Sequence, residues 1–255
     1  MLASKWLKAP LPNRPRITFL NDIILGQRML YLAIRIQDDL FDGHTKAPSL
    51  IFSSDNLLIE AESLFSRHFP KDSRFWTEYR NCLRATTCSI VEADEAERSA
   101  RTDASTLLDL HAKVCSVFKI GSIAVCARSA NWIHKRTVSL FCDEMAKAGQ
   151  IVDDLADLEE DLSRNRNNYV AKRLDHSNTR DALRDIFGEI YSHVDRAAAL
   201  IKRLNLQQGD AFMSGYRALI TRIEAQVIRS RIDSLFGPLL KRSQRTSDKP
   251  IPPNL

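Results

Sequence analysis

"AGQIVDDLADLEEDLSRNRNN" (Ala148–Asn168) is the stretch on which the reading of this chain turns. Six carboxylates fall in the nine positions from Asp153 to Asp161. They continue an apolar segment of helical spacing. Asp153, Asp157 and Asp161 therefore lie on one helix face, with Asp154 beside them and Gln150 near the N-terminal end of the stripe. Far upstream, "RIQDDLFDG" (Arg35–Gly43) repeats the DDxxD spacing. There Asp38 and Asp42 point together, Asp39 is adjacent, and Gln37 precedes them. Like charges four residues apart destabilise an isolated helix by about 0.2–0.5 kcal/mol per pair, so something must offset the repulsion.

Solvent and nearby Arg or Lys would be enough for one acidic run. Two runs, each continuing an apolar helix, suit hard divalent cations that prefer oxygen ligands. Mg²⁺ typically keeps waters and is shared between a few carboxylates and substrate phosphates. Two such clusters across a cavity would clamp a diphosphate between them.

The rest of the chain reads as helices. Its 255 residues suit one domain, and 8 Gly with 9 Pro, several of the Pro near the ends, leave few interior turns. Apolar periodicity predicts helices over 18–42, 54–68 (capped by Ser54 or Asp55) and 73–100 (capped by Asp72 or Ser73). Further helices are predicted over 107–127, from about 133 to 162 or 163, and over 179–204 and 210–235. No alternating strand pattern appears. The expectation is one all-α domain over 1–242, a helical bundle around a central apolar pocket, with a disordered tail over 243–255. The net charge of +5 raises nucleic acid as a partner, but the basic residues are scattered among acids without interleaved aromatics, which argues against it. Five cysteines without a CxxC suggest neither a disulfide framework nor a zinc knuckle. No apolar run reads as a signal peptide or a membrane span, so a cytoplasmic protein without stable membrane insertion is expected. GxGxxG, P-loop, HExxH and GxSxG motifs are missing, and His111 and His134 read as capping or surface residues.

These residues resemble the class I isoprenoid synthases: trans-polyprenyl diphosphate synthases, squalene and phytoene synthases, and class I terpene cyclases. "RMLYLAIRIQDDLFDG" is similar to their first Asp-rich helix, and "AGQIVDDLADLEEDLSRNRNNYV" to the second with its Asn-rich loop. "HAKVCSVFKIGSIAVCA" is similar to the helix that supplies a diphosphate-contacting Lys, with Lys119 the better match and Lys113 the second. The resemblance spans residues 17–240 and implies a helical bundle with Mg²⁺ as cofactor (three ions, Mn²⁺ as a substitute). It also implies Asp38, Asp39 and Asp42 as one metal cluster, and Asp153, Asp154 and Asp157 as the other, with Asp161 as its outer member. Asp38, Asp39, Asp153 and Asp157 would carry catalysis. Gln37 and Gln150 would contact diphosphate or water, and Phe41 would line the substrate pocket, where Tyr31, Phe118 and Trp132 are further candidates beside an ordinary core role. A homodimer is left open.

Two departures bear on the activity. Chain-elongating synthases carry "GGKR" before the first motif, whereas this chain reads "LPNRPRITF", with Arg14 and Arg16 alone. The paired Arg after the first motif is replaced by Lys46. Both weaken a second-diphosphate site. The expected function is a terpene synthase that ionises a linear allylic prenyl diphosphate and cyclises the cation. The alternatives are a prenyltransferase, which "DDLADLEED" resembles more closely than it does a cyclase, and a non-catalytic helical subunit.

Overall fold

Phe19, Ile23, Leu30, Ala33 and Ile34 recur at helical spacing and form the buried stripe of α1 (Ile17–Phe41). Gly43, at φ +72°, takes the left-handed conformation that ends this helix one residue after Asp42. α2 (Leu50–Ser66) returns antiparallel along α1, with Phe65 against Gly26 and Ser54 against Ala33. A Cβ on Gly26 would come within 3.1 Å of the Phe65 ring, so a larger residue there would push the buried ring aside by a few tenths of an ångström. The chain continues through α3 (Arg74–Arg98), α4 (Ala104–Val114), a 3₁₀ turn at Cys115–Phe118, α5 (Lys119–Arg128) and α6 (Lys135–Ala156). It ends with α7 (Leu158–Ser163), α8 (Tyr169–Leu174), α9 (Thr179–Leu204) and α10 (Gly209–Arg229). The computed structural model describes residues 17–99, 101–174, 179–206 and 208–229. Among these there is no strand, as expected of an all-α chain.

Two core clusters form. Phe19, Leu30, Phe65, Phe75, Tyr79 and Ile120 anchor one, drawn from α1, α2, α3 and α5. Ile151, Leu155, Tyr169, Val170, Phe187 and Ile190 anchor the other, drawn mainly from α6, α8 and α9. Full burial of each such side chain contributes about 1.5–3 kcal/mol. The two acid-bearing helices thus belong to different clusters, and α5 with the 3₁₀ turn before it touches both of them.

Several boundaries differ from the sequence reading. Ser54 caps nothing. It lies buried inside α2 and donates from Oγ to the Ala33 carbonyl at 3.1 Å, a small polar residue that lets two helices meet closely. The expected helix over 107–127 starts at Ala104, capped by Asp103, and is interrupted at 115–118. The long helix through the second acidic run is interrupted at Asp157, which leaves helical torsions at φ −94°, ψ 2°. α8 lies in what reads as loop. The tail over 243–255, the end of the last helix near 235, and Arg14 and Arg16 lie outside the described residues. Two stretches, Ile17–Phe41 and Ala104–Arg128, are long and apolar enough to cross a membrane by length and composition, contrary to the expectation of none. Their apolar residues include Leu30, Leu107, Ile120 and Ile123, all buried inside the bundle.

Candidate active site

The C-terminal part of α1 and the C-terminal part of α6 face each other. Asp38 and Phe41 of α1, with Asp42 just past its end, and Gln150 and Asp153 of α6, with Asp157 at its C-cap, line one cavity of about 380 Å³. A second cavity of about 500 Å³ adjoins it and shares Arg35, Asp42, Glu97, His111, Gln150 and Asp157. Asp39, Asp154 and Asp161 line this larger space, with His44, Arg164 and Arg166. The two DDxxD runs, more than a hundred residues apart in the chain, therefore meet at one cleft on the seam between the core clusters.

The carboxylates are held against their charge. Burial, then Asp42, raises the Asp38 pKa, and burial, then Asp157, raises that of Asp153. Two guanidiniums partly offset the repulsion. Arg35 reaches Asp38 and Asp39, each at 3.2 Å. Arg166 lies 3.4 Å from Asp42 and 3.5 Å from Glu97.

Asp154 stands apart from its neighbour Asp153. It is buried, and both carboxylate oxygens accept hydrogen bonds: Oδ1 from Gln150 Nε2 and Oδ2 from the Tyr169 amide, each at 2.7 Å. Burial is the first cause that pushes its pKa up, to about 6. Asn168 completes the link. Its Nδ2 donates to the Asp154 carbonyl and to Asp161 Oδ2, while its Oδ1 caps α8 by accepting from Val170 N and Ala171 N. Asp154 therefore ties α6 to α8, and Asp153 and Asp157 are left to face the cleft.

Other expected residues fall elsewhere. Lys119 pairs with Asp143, and Lys113 is exposed; neither lines the cleft. Gln37 is half-buried and lines neither cavity. Tyr31 and Phe118 meet at 5.4 Å between ring centroids, and the Arg74 guanidinium lies 4.5 Å over the Trp132 ring.

The structure adds a third wall. Ile90, Ala93, Asp94 and Glu97 of α3 all line the first cavity, as does His111 of α4. His111 is neither a cap nor a surface residue. Its Nε2 lies 3.0 Å from Glu97 Oε1, within ion-pairing reach when the ring is protonated, although the two are not aligned as a hydrogen bond. Burial alone would lower the His111 pKa, but Glu97 and Asp154 outweigh it and raise it. "VEADEAER" (Val91–Arg98) carries a signal for this wall: two acids, Asp94 and Glu97, on the same face as the apolar Ile90 and Ala93.

The donor set fits a hard cation, being all oxygen and drawn from two facing helices. Among the described residues, no three His, Cys, Asp or Glu side chains converge tightly enough to hold an ion alone. Such an ion would complete its shell with water and ligand oxygens, as Mg²⁺ commonly does. Compared with known proteins, the chain matches no family model and no curated protein.

Proposed function

We propose that this chain is a metal-dependent class I isoprenoid synthase that ionises a linear allylic prenyl diphosphate. One observation carries the reading: Asp38 and Asp42 face Asp153 and Asp157 across a single cavity. Those four would hold Mg²⁺, which when bound supplies the positive charge that neutralises the departing diphosphate. Arg35 and Arg166 line the cleft and can donate N–H groups to phosphate oxygens. The allylic C–O bond breaks heterolytically, and its electron pair leaves with the diphosphate. Phe41, Ile90 and Val114 form an apolar part of the cavity wall, against which the cation would lie. The cation then closes on a double bond of its own chain, and the released diphosphate takes up the proton that the ring loses to give a cyclic alkene.

A second reading is favoured by the adjoining cavity, where Arg35, Arg164 and Arg166 stand among the carboxylates and could donate to the phosphates of a second, metal-bound diphosphate. There the cation would pass to a second prenyl substrate. Incubation with geranyl, farnesyl and geranylgeranyl diphosphates and Mg²⁺, with and without isopentenyl diphosphate, separates the two by mass spectrometry of products. Cyclic hydrocarbon from one substrate supports cyclisation, and a lengthened or coupled chain supports transfer. Full diphosphate release in excess chelator, or none from any substrate, overturns both.

A further inference from the structure

The acids of the first motif already have cations beside them. Arg35 is shared between Asp38 and Asp39, and its charge also acts on Asp153 across the cleft. It lines the same cavity as Asp153 and Asp157 of the second motif. Arg166 is shared between Asp42 and Glu97 at 3.4 and 3.5 Å. Strong charge-assisted bonds of this type are about 2.7–2.9 Å long, so neither guanidinium is locked to one acid. The backbone beside Arg166 is fixed, because Asn167 N donates to the Glu97 carbonyl at 2.7 Å and Asn167 Nδ2 to that of Ala96 at 3.2 Å. The Arg166 side chain can thus change partners while its loop stays in place.

A planar guanidinium fork suits phosphate as well as it suits carboxylate, and diphosphate carries more charge. We propose that Arg35 and Arg166 occupy the cation positions of the free cleft and pass to phosphate oxygens when a diphosphate enters, so that the anion frees Asp38, Asp39 and Asp42 for metal. The exchange rests on reading the cleft as a diphosphate site. It fixes an order of binding: metal alone competes with two built-in cations, whereas metal arriving with diphosphate does not. Glu97 holds Arg166 from the α3 side after Asp42 is released.

The exchange gives the arginines opposite effects on two ligands, which a purely structural role cannot do. Isothermal titration with MgCl₂ alone, and with inorganic diphosphate in the presence of Mg²⁺, reads both. Arg35→Gln and Arg166→Gln should tighten binding of Mg²⁺ alone by up to about fivefold, the size of a partly exposed ion pair. The same variants should weaken Mg²⁺-dependent diphosphate binding by at least about tenfold, since charged hydrogen bonds are lost. Arg166→Lys keeps the charge without the fork, so it should leave the Mg²⁺ affinity near wild type and still weaken diphosphate. Should Arg166→Gln fail to fold, Arg35→Gln, at a more exposed side chain, and Arg166→Lys carry the comparison. Equal losses for both ligands, or unchanged Mg²⁺ binding in Arg35→Gln, overturn the exchange. Wild-type protein that binds Mg²⁺ and diphosphate no better together than apart overturns the diphosphate reading itself.

Discussion

At the scale of single residues, two adjacent aspartates do different work. Asp153 faces the cleft, while Asp154 is buried with both oxygens accepting hydrogen bonds. Asp153→Asn should reduce diphosphate release by at least about a hundredfold, because the charge it contributes acts on the departing group. Its melting temperature should stay the same or rise as repulsion with Asp157 is relieved. Asp154→Ala strands the Tyr169 amide and the Gln150 side chain, which should cost about 2–4 kcal/mol in urea unfolding. Matching stability losses in the two variants would remove this division of labour. The DDxxD spacing alone points to both aspartates alike. The difference comes from Asn168 and Tyr169, whose place beside Asp154 is set only once α8 folds back. Glu97 and His111 were hidden for the same reason: each looks like a charge on a solvated helix until α3 and α4 pack against the cleft.

At the scale of elements, the interruption between α4 and α5 is held from outside. Gln27 of α1 donates from Nε2 to the Val117 carbonyl at 3.0 Å and accepts the Gly121 amide at Oε1, 2.7 Å away. Thr86 of α3 accepts the Val117 amide at 2.9 Å. These side chains satisfy backbone groups that the interrupted helix leaves without helical partners. Gln27→Leu should therefore lower the unfolding free energy by about 2 kcal/mol, measured in urea, as buried backbone groups lose their partners. A Cβ on Gly121 would meet Gln27 Oε1 at 3.1 Å, so Gly121→Ala would displace the Gln27 amide from its place on the Gly121 N–H. A Gln27→Leu protein as stable as wild type would show that water replaces the side chain. Long periodic helices such as α1, α3 and α9 were legible to within a few residues, but this break was not, since its partners lie elsewhere in the chain. The contact of α6 with α9 carries a pH dependence. Burial, aided by the Arg196 charge, lowers the His193 pKa against the pull of Glu144. Burial would raise the Glu144 carboxyl, but Arg196 and His193 bring it below its usual value. Both lowered values make the folded chain bind protons less tightly than the unfolded chain, so both contributions weaken on acidification. The His193 share is full above its unfolded value of 6.5 and is lost as pH falls below it. The Glu144 share is lost only below 4.5, as pH falls through the still lower folded value. His111, with a raised pKa, has the opposite sign. The measurement is therefore a difference in urea midpoint between wild type and His193→Gln, followed from about pH 7.5 to about 5.5. The wild-type advantage should shrink over that range, and a constant or growing difference would overturn the assignment.

At the scale of the whole molecule, the cleft lies on the seam between two core clusters, with one acidic motif anchored in each. Repulsion across that seam is a burden of the ligand-free chain, while a ligand that bridges both motifs fastens the halves together. A ligand bound only by the folded state stabilises it by RT ln(1 + [L]/Kd), about 2.7 kcal/mol at a hundredfold excess. For a chain of this length each kcal/mol raises the melting temperature by about 2–4 °C, so Mg²⁺ with inorganic diphosphate should raise it by roughly 5–10 °C. Mg²⁺ alone should raise it slightly, because Arg35 and Arg166 already offset part of the acidic charge. Diphosphate alone should do little, since the carboxylates of the cleft repel it. The joint shift should therefore exceed the sum of the separate shifts. Asp38→Asn, on one side of the seam, and Asp157→Asn, on the other, should each bring the joint shift down toward that sum, because a ligand held by one cluster no longer links the two. Additive shifts in the wild type would mean that the motifs bind separately. A joint shift that survives Asp157→Asn but not Asp38→Asn would place the ligand on α1 alone, with the facing acids of α6 taking no part.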